Sequence, residues 1–321
     1  MLSGATATRP LAAYAILAVM PLMFSSNLII GRAAVDEMGP ATLAFWRWGL
    51  SAMVLAPVAV LALRKQANAT PTTAGLQAAL PLLPLLGFLG MSICGTFVYV
   101  ALTMTSATNA TLIYTVSPVF VVLLERIFRG RELRLRESVG ISVAVLGVAV
   151  IVLRGEFSAL LRLDFNIGDV LILGAAFSWA VYSVLMKRDA MSRLPTSVAF
   201  TLVAAFGAAI ILPSYLLEAR AFGYFPQSAS AWMSVAGVVL FASIGAFTAY
   251  QYGVKRVGPA VTSIFLYLLP AYGMGMAILF LGEIPRAYHG VGLVAVMAGV
   301  ALATWPRKAR PHGTIATKNP A

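Results

Sequence analysis

The 321-residue sequence has little charge, one cysteine and two histidines. Charged residues make up 11% of it, less than half of the roughly one quarter usual in soluble domains, which argues against a water-facing globular fold of this length. The single cysteine, Cys94, excludes an internal disulfide and any cysteine-rich metal site. With only His289 and His312 besides it, the second in a polar tail, zinc or haem would lack ligands, and no cofactor is expected. The eleven acids all fall in links or within a few residues of the end of an apolar run. No HExxH or GxSxG pattern occurs, so no enzyme is expected, and nothing resembles a repeated selectivity filter or a charged ring of a channel.

Apolar length is what the chain has in abundance. Hydrophobic residues make up 60% of it and the mean hydropathy is +0.89. A helix that crosses a bilayer needs about 20 mostly apolar residues. Ten segments meet that demand, the fifth and last being short: 11–32, 41–63, 79–102, 108–128, 138–153, 168–187, 196–217, 231–254, 260–281 and 287–305. The expectation is an all-α integral membrane protein. The first segment also has features of a secretory leader, but its length favours retention.

Ten crossings put both termini on one side. Seventeen of the 23 Lys and Arg residues then lie on that side, five lie opposite, and Arg47 is inside a segment. The positive-inside rule makes the terminal side cytoplasmic. The same asymmetry accounts for the net charge of +12 without nucleic acid as a partner.

The two halves are similar in layout. Pro118, Gly140 and Gly147 correspond to Pro270, Gly292 and Gly299, each 152 residues later, and PATLAF at 40–45 returns as PTSVAF at 195–200. Five spans per half is an odd number, so the second half (156–305) would enter the membrane inverted relative to the first (1–155), leaving 306–321 as a basic cytoplasmic tail. Inverted repeats of this kind place the substrate near the midplane between the halves.

The stretches PATLAFWR (40–47), SATNATLIYTVSPVF (106–120), RGRE (129–132) and YLLP followed by LGE (267–270, 281–283) resemble the drug/metabolite transporter superfamily, in its ten-helix type with two EamA-like repeats. Leu202 stands where a second-half equivalent of Arg47 would be, a departure from the repeat. The resemblance implies a basket of ten helices around a central cavity, in a bacterial cytoplasmic membrane. It further implies alternating-access export of small metabolites, amino acids and especially aromatic ones among them. Export of another small metabolite or drug, coupled to protons, is the alternative. A small solute and the lipid bilayer are the partners expected, and no oligomeric partner is required.

Polar and aromatic groups inside the spans are the candidate substrate contacts. Trp179, Tyr182 and Ser183 share a face of the sixth span. Asn27, Tyr99, Asn109, Thr111, Tyr114, Tyr250, Gln251, Tyr267 and Tyr272 are spread over spans one, three, four, eight and nine. Arg47 has two readings. Either it snorkels to the outer headgroups, with Trp46 and Trp48 in the aromatic belt, or it faces the interior, tied to carbonyls or to a substrate carboxylate. Pro118 and Pro270 each free a backbone carbonyl and are candidate hinges. Without a carboxylate near the midplane, movement down the substrate gradient is favoured over proton coupling.

Accessibility tags at the two ends are expected to report from the same, cytoplasmic face. Ends mapped to opposite faces would refute the ten-span reading.

Overall fold

The structure, a computed structural model, describes residues 8–67, 72–129, 135–156, 166–223, 225–257, 262 and 265–304. No strand occurs among them. Four long helices open the chain: α1 (Thr8–Ala34), α2 (Pro40–Ala67), α3 (Gly75–Leu102) and α4 (Ala107–Phe128). Then come α5 (Leu135–Val152), α6 (Ile167–Leu185), α7 (Thr196–Phe222) and α8 (Ala229–Gly253). These eight are long and apolar enough to cross a membrane, and two shorter apolar helices follow, α9 (Leu269–Leu281) and α10 (Ala287–Thr304).

Local chemistry sets many of the boundaries. Ser106, Asn166 and Ser228 take extended backbone angles, and each side chain accepts a hydrogen bond from a first-turn amide of α4, α6 or α8. Helix α5 stops where Arg154 (φ 53°) and Gly155 (φ 78°) turn left-handed. Helix α9 is not the start of its apolar run, since Thr262 and Phe265 are already helical. A 3₁₀ turn at Leu266–Leu268 precedes it, because Pro270 has no N–H to bond the Leu266 carbonyl. The start of that run lies outside the described residues. The equivalent proline, Pro118, follows a break in α4 at Thr115 and Val116. Both prolines therefore mark interruptions of the helical ladder. Helices α3 and α8 carry a second kind of irregularity, π-helical stretches at Phe88–Phe97 and Val238–Gly245.

Contacts between helix ends give each helix its direction. Glu218, near the end of α7, accepts bonds from Ala41 N (3.0 Å) and Thr42 N (2.8 Å) at the start of α2. Glu283, just past α9, accepts from Ala107 N (2.7 Å) and Thr108 N (3.0 Å) at the start of α4. Both pair a carboxylate with the positive end of a helix dipole. Ser228, the cap of α8, bonds Glu37 beyond α1, and Asn166, the cap of α6, donates to Met104 O beyond α3 at 2.8 Å. The end of α1 meets the end of α3, where a Cβ on Gly31 would lie 2.6 Å from the Tyr99 ring. One end of the bundle thus gathers the starts of the even-numbered helices and the ends of α1, α3, α7 and α9.

The packing partners are reciprocal between halves. Helix α2 packs along α7 and α5 along α10, α1 lies against α8 and α9, and α6 lies against α3 and α4. The glycines that correspond in sequence meet crosswise along α5 and α10. A Cβ on Gly299 would lie 2.6 Å from Gly140 O, and one on Gly292 would lie 3.2 Å from Gly147 O. Small residues let backbones approach this closely, where lipid supplies no hydrophobic drive.

Gly147→Val is expected to lower stability by about 1–3 kcal/mol, since its Cβ would face Val296 N at 2.8 Å. Gly290→Ala, whose Cβ would meet nothing within 4 Å, is expected to shift stability by no more than about 1 kcal/mol. Thermal unfolding in detergent compares the two.

Candidate functional site

A positive charge in an apolar interior must spread its N–H groups over acceptors. Arg47, one to two turns into α2, is 6% exposed. Its Nε donates to Ser243 Oγ on α8 at 2.9 Å. Its Nη1 donates to Asn27 Oδ1 on α1 at 2.6 Å and to Tyr99 OH on α3 at 3.0 Å. The Tyr99 hydroxyl in turn donates to Asn27 Oδ1 at 2.7 Å. The guanidinium carbon lies 4.1 Å from the centroid of the Trp48 ring, a cation–π contact. Trp48 itself is buried, and its indole N–H donates to Met91 O at 3.1 Å.

Of the two readings of Arg47, the geometry supports the interior one. Trp48 is part of the same buried cluster. Trp46 instead keeps aromatic company with Phe225 and Trp232. Ser243 in turn donates to Val238 O within the π-helical stretch, and Met91 belongs to the other one. Both backbone irregularities therefore supply the cluster with partners. No carboxylate bonds Arg47 among the described residues. Its Nη2 makes no bond to a described residue.

A second group lies beside the first. Cys94 is buried on α3, where its thiol donates to Ala175 O on α6 at 3.4 Å and lies within hydrogen-bonding reach of Tyr114 (α4) and Ser178 (α6). Tyr182 stacks on Trp179, with centroids 5.1 Å apart and planes at 29°. The packed face of α6 is set by Ile172, Ala175, Ala176 and Tyr182, while Val170, Gly174 and Phe177 lie opposite and exposed. Trp179 follows Ile172 by seven residues, two turns along the same face. It is nevertheless 36% exposed. Ser183, one turn further on, is half-buried.

A third group closes the helix starts. Asp169 is fully buried on α6. Thr105 Oγ donates to its Oδ1, and Asn109 Nδ2 on α4 donates to its Oδ2 at 3.2 Å. Asn109 Oδ1 lies 2.9 Å from His289 Nε2 on α10, and His289 Nδ1 accepts from Arg286 N at 3.0 Å.

The remaining expected contacts are dispersed. Thr111 spends its hydroxyl on Ala107 O and Ser183 spends its own on Trp179 O. Tyr250, Gln251 and Tyr272 are half-buried on α8 and α9. The side chain of Tyr267 lies outside the described residues. Asn109 belongs to the closing group and not to the Arg47 cluster. Among the described residues no three His, Cys, Asp or Glu side chains gather as a metal site.

The model of the EamA-like transporter family matches residues 11–153 and again 166–305. The chain belongs to the EamA-like transporter family. Its two matched stretches make it a duplicated, multi-pass membrane transporter of the drug/metabolite type. The chain is 24% identical over 91% of its length, and 93% of the other's, to the uncharacterized transporter YyaM of Bacillus subtilis. It is 26% identical over 88% of its length and 87% of the other's to the inner membrane transporter YedA of Escherichia coli. It is 30% identical over 70% of its length, and 72% of the other's, to a probable terminal-alkyne amino-acid exporter of Streptantibioticus cattleyicolor. A crystal structure covering 91% of this chain and 97% of its own superposes with a TM-score of 0.59 at 19% identity, a likeness of fold alone.

The sequence reading missed Ser243, Trp48, Cys94, Ser178, Asp169, His289, Glu218 and Glu283. Asp169 carried one signal, its place three residues after a helix-capping asparagine. His289 had been weighed only as a metal ligand.

Tyr99→Phe removes a hydroxyl that accepts from Arg47 and donates to Asn27, and it is expected to cost about 1–3 kcal/mol. Ser183→Ala deletes only a bond to its own helix and is expected to stay within roughly 0.5 kcal/mol. Equal thermal midpoints for the two variants would contradict this account of the cluster.

Proposed function

We propose that this EamA-family transporter carries small amphiphilic metabolites, preferentially aromatic amino acids, out of the bacterial cytoplasm. Ten spans in two inverted halves alternate access to a central hollow. The observation that carries this is the pairing of a buried Arg47, whose Nη2 bonds no described residue, with an exposed Trp179 on the packed face of α6. An exposed side chain on a packed face looks into a hollow between helices. The hollow opens toward the later part of α6, while the earlier positions of that stripe, Gly168 and Ile172, are buried.

The chemistry matches a zwitterion with a ring. A carboxylate can accept a charge-assisted hydrogen bond from Nη2, and the stacked Trp179 and Tyr182 offer an apolar surface with polar tips. One cation suits one carboxylate, whereas a sugar phosphate or nucleotide calls for more positive charge. The probable amino-acid exporter among the relatives supports the same class. Reciprocal packing of α1 with α8 and α9 against α6 with α3 and α4 is what an inverted repeat requires for exchange of conformations. The interruptions before Pro118 and Pro270 serve as its hinges. The transporter works without metal or organic cofactor, by facilitated movement along the substrate gradient.

Counterflow in proteoliposomes tests the substrate. Labelled tryptophan or phenylalanine is expected to exchange with saturation, and a labelled nucleotide sugar is not. Trp179→Ala is expected to raise the half-saturating concentration about two- to tenfold. Unchanged kinetics in that variant would overturn the site, and exchange of the nucleotide sugar alone would overturn the substrate class.

A further inference from the structure

The polar and the aromatic parts of the site come from different halves of the chain. In the repeat, FSSN at 24–27 matches FSWA at 177–180, so Asn27 has Ala180 as its counterpart and Trp179 has Ser26. Arg47 likewise has Leu202. A purely structural role in a repeated frame would call for like residues at matched positions. Instead the first half holds a cation with an amide, and the second holds an indole. The π-helical stretch of α3 carries both. A Cβ on Gly95 would lie 2.8 Å from Nε1 of Trp48, the residue next to Arg47. A Cβ on Gly90 would lie 2.7 Å from the ring of Tyr182, on which Trp179 stacks. Five residues separate these contacts, under about 8 Å along a helix axis, a span that one aromatic amino acid covers.

The orientation of the Asn27 amide is fixed by its neighbours. A guanidinium has no acceptor, so the atom that meets Arg47 Nη1 at 2.6 Å must be the carbonyl oxygen Oδ1. The same oxygen accepts from Tyr99 OH at 2.7 Å. Nδ2 then lies on the other side of the amide and makes no hydrogen bond to a described residue. Arg47 Nη2 is in the same condition. Unspent donors on α1 and α2 therefore adjoin a guanidinium that no carboxylate bonds among the described residues. An aspartate at position 27 would accept the same two bonds and cancel the charge as well. Asparagine accepts them and leaves the charge uncancelled, so an entering anion finds a cation and free N–H groups together.

Resting on the amino-acid reading above, we infer that Asn27 determines specificity for a carboxylate. It keeps the Arg47 charge uncancelled and donates from Nδ2 to the carboxylate held at Nη2. The bound amino acid then lies with its carboxylate against the first half of the chain and its ring against Trp179 of the second.

Tryptophan amide keeps the ring and the ammonium of tryptophan and lacks the carboxylate, so competition between the two in counterflow reads the carboxylate alone. The unaltered protein is expected to prefer tryptophan at least about tenfold. Asn27→Asp keeps an oxygen for Arg47 and Tyr99, and it is expected to lose most of that preference through a raised half-saturating concentration for tryptophan, with the maximal rate changed less. Trp179→Ala is expected to weaken tryptophan and its amide alike and so to keep the preference. An Asn27→Asp protein with the preference intact overturns the role of Asn27. An unaltered protein that exchanges tryptophan and its amide equally overturns the inference, with no dependence on how any variant folds, and leaves the aromatic reading standing. Thermal stabilisation by alanine over alanine amide, lost in Asn27→Asp, in protein that exchanges no aromatic amino acid supports the carboxylate site and overturns the aromatic preference alone. Neither exchange nor stabilisation by any of these compounds overturns both readings.

Discussion

Arg47 holds its charge in the interior only because four helices bring it acceptors and a π face. Its guanidinium uses Ser243 from α8, Asn27 from α1, Tyr99 from α3 and the ring of Trp48 beside it. An isolated ion in a medium that lipid keeps dry would be prohibitively costly. The bond to Ser243 crosses between the two halves, so Arg47 is also a joint of the bundle. The π-helical stretches of α3 and α8 belong to the same constraint. Within the π stretch Phe88–Phe97 Met91 O accepts the Trp48 indole N–H, and within that of α8 Val238 O accepts from Ser243 Oγ.

At one end of the bundle the same demand is met differently. Glu218 and Glu283 cap helix starts of the opposite half, and Asp169, Asn109 and His289 tie the starts of α4, α6 and α10 together. Deeper along α6 the packed face opens, and Trp179 stands exposed there. The side-chain bonds thus gather at the end of the bundle away from the described start of α1, and the accessible stretch of α6 lies further from that end. The crosswise glycines of α5 and α10, by contrast, form a close backbone contact without side chains to exchange, and they suit a fixed frame.

Much of the fold was legible in the sequence because lipid imposes a simple rule. Each crossing must be long, apolar and internally hydrogen-bonded, so ten runs read directly as helices. The pairing of Gly140 and Gly147 with Gly292 and Gly299 was legible as an offset of 152 residues, though nothing in that offset says that the partners touch. The site was less legible. Asn27, Tyr99 and Arg47 were singled out separately as polar groups in apolar runs, and so were Trp179 and Tyr182. Thr111 and Ser183 passed the same filter, yet each spends its hydroxyl on its own helix, a choice that short polar side chains make locally. Asp169 and Glu283 escaped notice because a carboxylate near a helix end reads as a loop charge until its partner helix is known.

The sequence by itself determined that this chain crosses a membrane many times, that it is duplicated and that one arginine falls inside an apolar run, since hydropathy, repeat spacing and charge are properties of the linear text. Only the tertiary structure decided what Arg47 faces, that Asn109 belongs with Asp169 and His289 and that Trp179 stays accessible on a packed face. Those outcomes depend on residues as much as 196 positions apart, and the directions in which their donors and acceptors point arise only when the helices pack.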